Sequence, residues 1–211
     1  MAKSKVLAAL LVCAGICTRA GAQTAEIGGG VGGAHVVSGG GDFYGRGLGS
    51  VTVDAHGSIP LSDRFGLAPF VTYGRRSIAP PAAAGTVVGG DTQRTEGLYG
   101  VVVTQRLRGL TRPGFHVFLS YGVAGMYGHD RTPPRQYISG RSVYNAPAFD
   151  YSEKNGLPFP VAGIGVHKSL GEHLALRIES QAITFLTIPV GVRVSAGVAV
   201  PLGSTSPSAR R

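Results

Sequence analysis

The feature that most constrains this chain is an alternation of apolar residues with polar or small ones, which recurs in stretches of about ten residues from Leu48 to Leu202. Alternation of period two places apolar side chains on one face of a β-strand and polar side chains on the other. Short and long connections separate the stretches in turn. The pattern therefore predicts an all-β chain of antiparallel strands with one apolar and one polar face.

The N-terminus has the features of an export signal. Lys3 and Lys5 precede the apolar run Val6–Ile16, and the small residues Ala20–Ala22 provide a cleavage site. The run is too short for a transmembrane helix, which needs about 20 residues. We therefore expect residues 1–22 to be a signal peptide.

The remaining composition limits the domain organisation and the partners. Cys13 and Cys17 both lie in the signal segment, so the mature chain is expected to lack disulfides and thiol chemistry. The chain has 20 Lys and Arg against 11 Asp and Glu, but the charges are spread out and an export signal argues against nucleic acid as a partner. We predict one β-domain over residues 23–203 and a disordered tail over residues 204–211, which is rich in Ser, Pro and Arg.

Eight strands are predicted. No later segment approaches 18 unbroken apolar residues, so a membrane-resident chain would have to form a closed barrel, the only alternative to helices in a bilayer. The expected strands are residues 26–37, 48–59, 65–73, 97–106, 114–127, 158–168, 173–182 and 188–202.

The connections between these strands differ in length. Those after strands two, four and six are tight, whereas the segments Gly74–Glu96 and Gly128–Leu157 are long. Outer-membrane barrels have an even number of strands, short periplasmic turns and long outer loops. The sequence thus predicts an eight-stranded antiparallel up-and-down transmembrane β-barrel in the bacterial outer membrane.

The charges indicate which face is inside. An Arg facing lipid at mid-depth costs about 2–4 kcal/mol, so we place the aliphatic face outward and the charged face in the lumen. Strands one, four and six alternate less clearly, and their two faces stay unassigned. The predicted polar network of the lumen consists of Asp54, His56, Arg106, Arg177, Glu179, Gln181 and Arg193.

Side chains can fill an eight-stranded barrel completely. We therefore expect a polar core that plugs the lumen. A narrow channel is the first alternative, because many inward residues are glycines. A soluble periplasmic barrel with the faces reversed is another.

Some residues could form a catalytic or metal site, but a purely structural role is favoured for each of them. Asp54, His56, His116 and Glu179 could share the lumen as a metal or acid–base cluster, but an ion-pair network is favoured because metal sites need three or four ligands in a set geometry. Ser120 with His116 and Glu179 could form a lipid hydrolase, yet no nucleophile motif supports it. We expect no enzyme activity, no metal and no cofactor.

Two further local patterns have simple interpretations. Gly28, Gly30 and Gly33 have the spacing of a dinucleotide-binding loop, but no helix follows them, so a glycine-rich strand is favoured. His167 and His173 flank a turn and are expected to be solvated.

The longest predicted loop is the main candidate for external contacts. The segment His129–Asn155 combines arginines with tyrosines, residue types that are enriched at energetically important contacts. Its partner would be an extracellular protein or glycan, or the phosphates of neighbouring lipopolysaccharide. The contact candidates are Arg131, Arg135, Tyr137, Arg141, Tyr144 and Tyr151.

Three segments give the chain a family resemblance. They are SIPLSDRFGLAPFVTYG (58–74), GVHKSLGEHLALRIESQ (165–181) and the closing VGVRVSAGVAVPLG (190–203). The chain resembles the OmpA/OmpX-type family of small outer-membrane barrels. The resemblance implies structural, adhesive or small-solute roles, rarely catalysis, with outer-membrane lipid, lipopolysaccharide and the assembly machinery as partners. Leu202 stands where such barrels usually end on an aromatic residue, which puts the efficiency of assembly in doubt.

Overall fold

The computed structural model describes residues 25–36, 50–80, 86–185 and 188–202. The predicted signal peptide, both cysteines and the predicted C-terminal tail lie outside these residues. No helix in these ranges is long and apolar enough to cross a membrane. The strands are β1 (Ala25–Val36), β2 (Ser50–Pro60), β3 (Phe65–Ile78), β4 (Thr86–Gly89), β5 (Thr92–Arg112), β6 (Phe115–Thr132), β7 (Arg135–Ser139), β8 (Ser142–Ala146), β9 (Phe149–Ser169), β10 (Ala175–Phe185) and β11 (Ile188–Leu202).

Eight of these strands form a closed barrel in the order β1-β11-β10-β9-β6-β5-β3-β2, and each is antiparallel to both neighbours. The first strand pairs with the last over the whole of β1, from Ala25↔Leu202 to Val36↔Gly191. Closure gives every strand two partners and removes the exposed edges of an open sheet. The predicted eight-stranded antiparallel barrel is confirmed.

The two ends of the barrel differ. Short connections at residues 61–64, 113–114 and 170–174 lie at one end, here called the turn end. The other end is called the outer end. There the hairpins extend to Ile78↔Thr92 and Thr132↔Phe149. These extensions contain charged side chains and several glycines, which are typical of loops, and the sequence therefore predicted loops there.

The two predicted long loops are therefore corrected. Most of segment 74–96 is strand, and segment 128–157 contains the end of β6, the whole of β7 and β8, and the start of β9. The backbone groups there find partners across the hairpins, which an isolated loop could not offer. At the turn end β5 also continues past its predicted end, with a bulge between Arg106↔Phe118 and Thr111↔His116.

A second, smaller sheet lies at the outer end. Its strand order is β4-β7-β8, and it is separate from the barrel sheet. β4 pairs with β7 from Thr86↔Ile138 onwards, and β7 forms a hairpin with β8 that closes at Ser139↔Ser142. We call these three strands the outer sheet.

Side chains alternate between the two faces of the barrel wall. On β11, five outward residues are 45–52% exposed, whereas Arg193, Ser195 and Ala199 face the interior and are buried. The outward aliphatic face and the inward charged face agree with the prediction for this strand. The five outward residues are Val192, Val194, Val198, Val200 and Leu202.

The interior is apolar on one side, which corrects the expectation of a wholly polar core. Leu98 and Val102 on β5 and Val161 on β9 point inward and are buried, while Tyr99 and Val101 next to them face outward. The middle parts of β5 and β9 are thus apolar on both faces, which explains why these strands alternate less clearly. The buried apolar cluster comprises Ala34, Ala68, Phe70, Leu98, Val102, Ala124, Met126, Phe159, Val161 and Ile183.

Candidate functional site

The polar side of the lumen is organised around Arg193. Its Nη2 lies 3.2 Å from Oδ2 of Asp54, and its Nη1 donates a hydrogen bond of 2.9 Å to Oε1 of Gln181. Oε2 of Glu179 lies 3.9 Å from the same Nη1. The Arg193 side chain is 1% exposed. A single guanidinium thus joins β11 to β2 and β10.

The network continues along β10 towards the turn end. Arg177 donates to Oε2 of Glu179 at 2.9 Å, and Gln181 donates to Oε1 of the same carboxylate at 2.8 Å. On β2, Nδ1 of His56 lies 3.2 Å from Oδ2 of Asp54. These residues alternate along their strands, so their side chains all point inward.

Both arginines also contact aromatic rings on other strands. The Cζ atom of Arg193 lies 4.9 Å from the ring centre of Phe70 on β3, and that of Arg177 lies 4.7 Å from the ring centre of Phe118 on β6. Guanidinium groups at this distance are attracted to the ring face. These contacts join β11 to β3 and β10 to β6.

Six of the seven predicted lumen residues belong to this network, and Arg106 does not. Two arginines are balanced by Asp54 and Glu179, which is the arrangement expected of a structural ion-pair cluster. Arg106 instead lies near the turn end with His116 and His167.

A second group of ion pairs lies near the outer end and was not found from the sequence. Oε1 of Glu96 lies 2.9 Å from Nε of Arg76 and 3.1 Å from Nε of Arg94. Nη1 of Arg94 also donates to Asp130 at 3.4 Å, and Ser50 donates to Oε2 of Glu96 at 3.0 Å. The alternating residues 94, 96 and 98 continue the period of β5 and could have revealed this group, had residues 74–96 not been interpreted as a loop.

At the turn end, His167 corrects the expectation that it is solvated. It is 8% exposed, and its Nε2 lies 3.2 Å from both carboxylate oxygens of Glu26. The ring of His116 stacks on it, with the ring centres 4.6 Å apart. This pair of histidines lies just inside the barrel.

The outer-end contact candidates fall into two groups. Arg135 is only 7% exposed, since its guanidinium donates to Gly90 O at 3.1 Å and to Thr92 Oγ1 at 2.9 Å. It fastens the outer sheet to the start of β5 instead of facing solvent. By contrast, Tyr144 and Tyr151 are 68% and 45% exposed.

The remaining candidates also lie at the surface. Arg131 and Arg141 are exposed and Tyr137 is partly exposed. The rings of Tyr137 and Tyr144 lie 6.4 Å apart, and Tyr151 stacks against the exposed Phe149 at 6.3 Å. The outer end thus presents two aromatic pairs beside exposed arginines.

The catalytic and metal alternatives find little geometric support in the described part of the chain. No group of three or more His, Cys, Asp or Glu side chains there could hold a metal ion. His116 stacks on His167 and forms no hydrogen bond with Ser120. Gly28, Gly30 and Gly33 lie within β1, paired to β2 and β11.

Comparison with known proteins relates this architecture to outer-membrane barrels. The sequence matches no protein-family model and no curated protein. Its structure is similar to that of Ail, the attachment invasion locus protein of Yersinia pestis, with a TM-score of 0.54 and 9% identity over 86% of this chain and 100% of Ail. A major outer membrane protein of Thermus thermophilus has a TM-score of 0.53 and 12% identity, over 85% of this chain and 100% of that protein. The chain therefore has the fold of the small outer-membrane β-barrels.

Proposed function

We propose that this chain is a bacterial outer-membrane barrel whose lumen is closed by side chains and whose outer end contacts molecules outside the cell. The observation that carries the proposal is the distribution of side chains: charges inside, aliphatic residues outside and paired aromatic rings at one end.

The outward face supports residence in a membrane. Val51, Val53, Val71 and Ile164 are each more than half exposed, and contiguous apolar surface on this scale is unusual for a soluble monomer. The same residues would be covered by hydrocarbon in a bilayer. Inward ion pairs, meanwhile, keep the charges away from lipid.

Fractionation with electrophoresis tests this residence. The protein should remain in the outer-membrane fraction after urea extraction, and its unboiled band should migrate faster than the boiled one. A protein released by osmotic shock with a single unshifted band would mean a soluble barrel and contradict the proposal.

A closed lumen is supported by the inward side chains of Arg193 and Arg177, which contact aromatic rings on β3 and β6. We expect no conductance steps above background when the purified barrel is added to a planar bilayer. Insertion is checked on the same preparation by protease protection. Reproducible steps from the wild-type barrel would assign a narrow channel instead.

Contact through the outer end is supported by its exposed aromatic pairs and arginines. Tyrosine and arginine give large contacts and strong hydrogen bonds at modest entropic cost. Tyr144, Phe149 and Tyr151 are all more than 40% exposed, although each ring has a neighbour that orients it. A protein or a glycan is the class of partner that fits such a surface.

A shortened barrel provides the test. Because Thr132 and Phe149 are partners at the end of their hairpin, residues 133–148 can be replaced by a two-residue Asn-Gly turn. Fluorescent nanodiscs containing either form are applied to arrays of purified glycans and extracellular proteins. Spots bound by the wild type and lost in the shortened form support the proposal, and equal binding by both forms would contradict it.

A further inference from the structure

The turn end of the lumen contains a small pocket below the Arg193 network. Residues from seven of the eight barrel strands line it, among them Glu26, Ser58, Thr104, Arg106 and His116. It encloses about 40 Å³, which is space for roughly three water molecules. The part of a ligand that enters this pocket therefore has to be small.

Most charges around the pocket are already balanced. Glu26 pairs with His167 at 3.2 Å, and Arg177 pairs with Glu179 at 2.9 Å. Among the residues that the structure describes, no carboxylate forms an ion pair with Arg106 or His116. The pocket therefore has one guanidinium, that of Arg106, without an ion pair in the described part of the chain, and the imidazole of His116, which lies in the field of the Glu26 carboxylate that already pairs with His167.

The position of Arg106 is fixed by its own backbone. Its N–H donates to Arg64 O at 2.9 Å, and its Cα is the partner of Phe118 at the last regular pair before the β5 bulge. The hydroxyl-bearing Ser58 and Thr104 lie in the same lining. These groups are hydrogen-bond donors in the lining of one pocket, and such donors are what an oxyanion requires.

The surface around the pocket is positively charged, like Arg106 inside it. Among the residues described at the turn end, exposed cations outnumber acids, and such a field raises the local concentration of small anions. The cations are Arg64, Arg108, Arg112 and Lys168, against Asp63 and Glu172.

We infer that this pocket binds a phosphate group between Arg106 and His116. The group enters from the turn end, either as free phosphate or as the headgroup of a short phospholipid. The site is independent of the outer sheet, so it is separate from the contacts proposed above.

Titration of the detergent-folded barrel with inorganic phosphate in lipid-free, low-salt buffer tests the inference. The readout is the NMR signal of the His116 ring, followed in wild type and two variants. Arg106→Gln should weaken phosphate binding at least tenfold. Arg108→Gln removes the same charge from an exposed position on the same strand and should leave binding within twofold. An unboiled, fast-migrating band confirms that each variant is folded.

Three outcomes are distinguishable. Saturable phosphate binding that depends on Arg106 supports the site for free anion. Saturation by dihexanoyl phosphatidylglycerol alone, with the same dependence, supports a headgroup as the source. No saturation by either probe, or equal losses in both variants, would overturn the inference, because the signal would then reflect only the general charge of the turn end.

Discussion

Arg193 on β11 and Asp54 on β2 form an ion pair inside the barrel, with 3.2 Å between Nη2 and Oδ2 and each side chain 1% exposed. The strand between them is β1, whose inward positions Gly28, Gly30 and Gly32 have no side chains. The glycine-rich start of the barrel domain thus makes room for a contact between its second and last strands.

Removing this arginine should destabilise the barrel strongly. Arg193→Met leaves Asp54 buried without its guanidinium, and breaking a buried pair in this way costs about 3–5 kcal/mol. Urea unfolding of the detergent-folded protein, followed by circular dichroism, measures the loss.

Two further proteins serve as controls for Arg193. Arg141→Met changes an exposed arginine of the outer end and should alter the unfolding free energy by less than about 0.5 kcal/mol. The double variant Arg193→Met with Asp54→Asn should be less destabilised than the sum of the single variants. Simple additivity would show that the pair contributes nothing.

The glycines of β1 differ in the space around them. A Cβ at Gly28 would meet the Val198 carbonyl oxygen and lie 2.6 Å from Nε2 of His56, whereas a Cβ at Gly33 would have nothing nearer than Ser50 O at 3.8 Å. Gly28→Ala should therefore cost about 1–3 kcal/mol of unfolding free energy.

Gly33→Ala is the matched control for Gly28. It should leave the unfolding free energy unchanged or slightly higher, because alanine has less backbone entropy to lose than glycine. Equal effects of the two substitutions in the same urea titration would argue against the close approach at Gly28.

One substitution tests whether the outward face is covered by lipid or exposed to water. Val194 lies near the middle of β11 and is 48% exposed. Val194→Arg should lower the unfolding free energy in lipid vesicles by about 2–4 kcal/mol, the cost of an arginine near the bilayer centre.

Val143→Arg provides the comparison for Val194. Val143 is 59% exposed but belongs to the outer sheet, so its replacement should be tolerated within about 0.5 kcal/mol. If Val194→Arg were equally harmless in vesicles, lipid would not cover this face of β11.

Arg135 should control the order of the outer sheet. Its two hydrogen bonds reach Gly90, just before β5, and Thr92, the first residue of β5. Arg135→Ala should accelerate chymotrypsin cleavage within residues 133–148 by several-fold, because the sheet loses its attachment. The heat-modifiable barrel core should stay intact.

Arg141→Ala tests whether the loss of any positive charge at the outer end is enough to accelerate cleavage. Arg141 is exposed at the β7–β8 turn, and its loss should leave the cleavage rate within twofold of the wild type on the same gel. Unchanged cleavage of Arg135→Ala would mean that the sheet is held by other contacts.

The alternation of apolar and polar residues was enough to predict eight barrel strands and the inward charges of β2, β10 and β11. Alternation is a local property, and a strand with one apolar and one charged face has a single low-energy orientation in a barrel wall. Asp54, Glu179 and Arg193 could therefore be assigned to the lumen before any contact between them was known.

The prediction missed the extended hairpins at the outer end, although residues 94, 96 and 98 keep the period of β5. Arg94 and Glu96 belong to β5 because their strand pairs with β3 and β6. Pairing between distant segments cannot be deduced from either segment alone. The inward faces of β5 and β9 were equally hard to assign, because a segment that is apolar on both faces has no pattern that distinguishes the lumen side from the lipid side.

The sequence by itself determined that the chain forms barrel strands with one apolar and one polar face, because period-two side-chain patterns are set within each strand. Only the tertiary structure decided which side chains come together inside. Arg193 pairs with Asp54 over the glycines of β1, Glu26 pairs with His167, and Arg106 and His116 line the same turn-end pocket. Those contacts depend on which strands become neighbours when the barrel closes, and closure is a property of the whole chain.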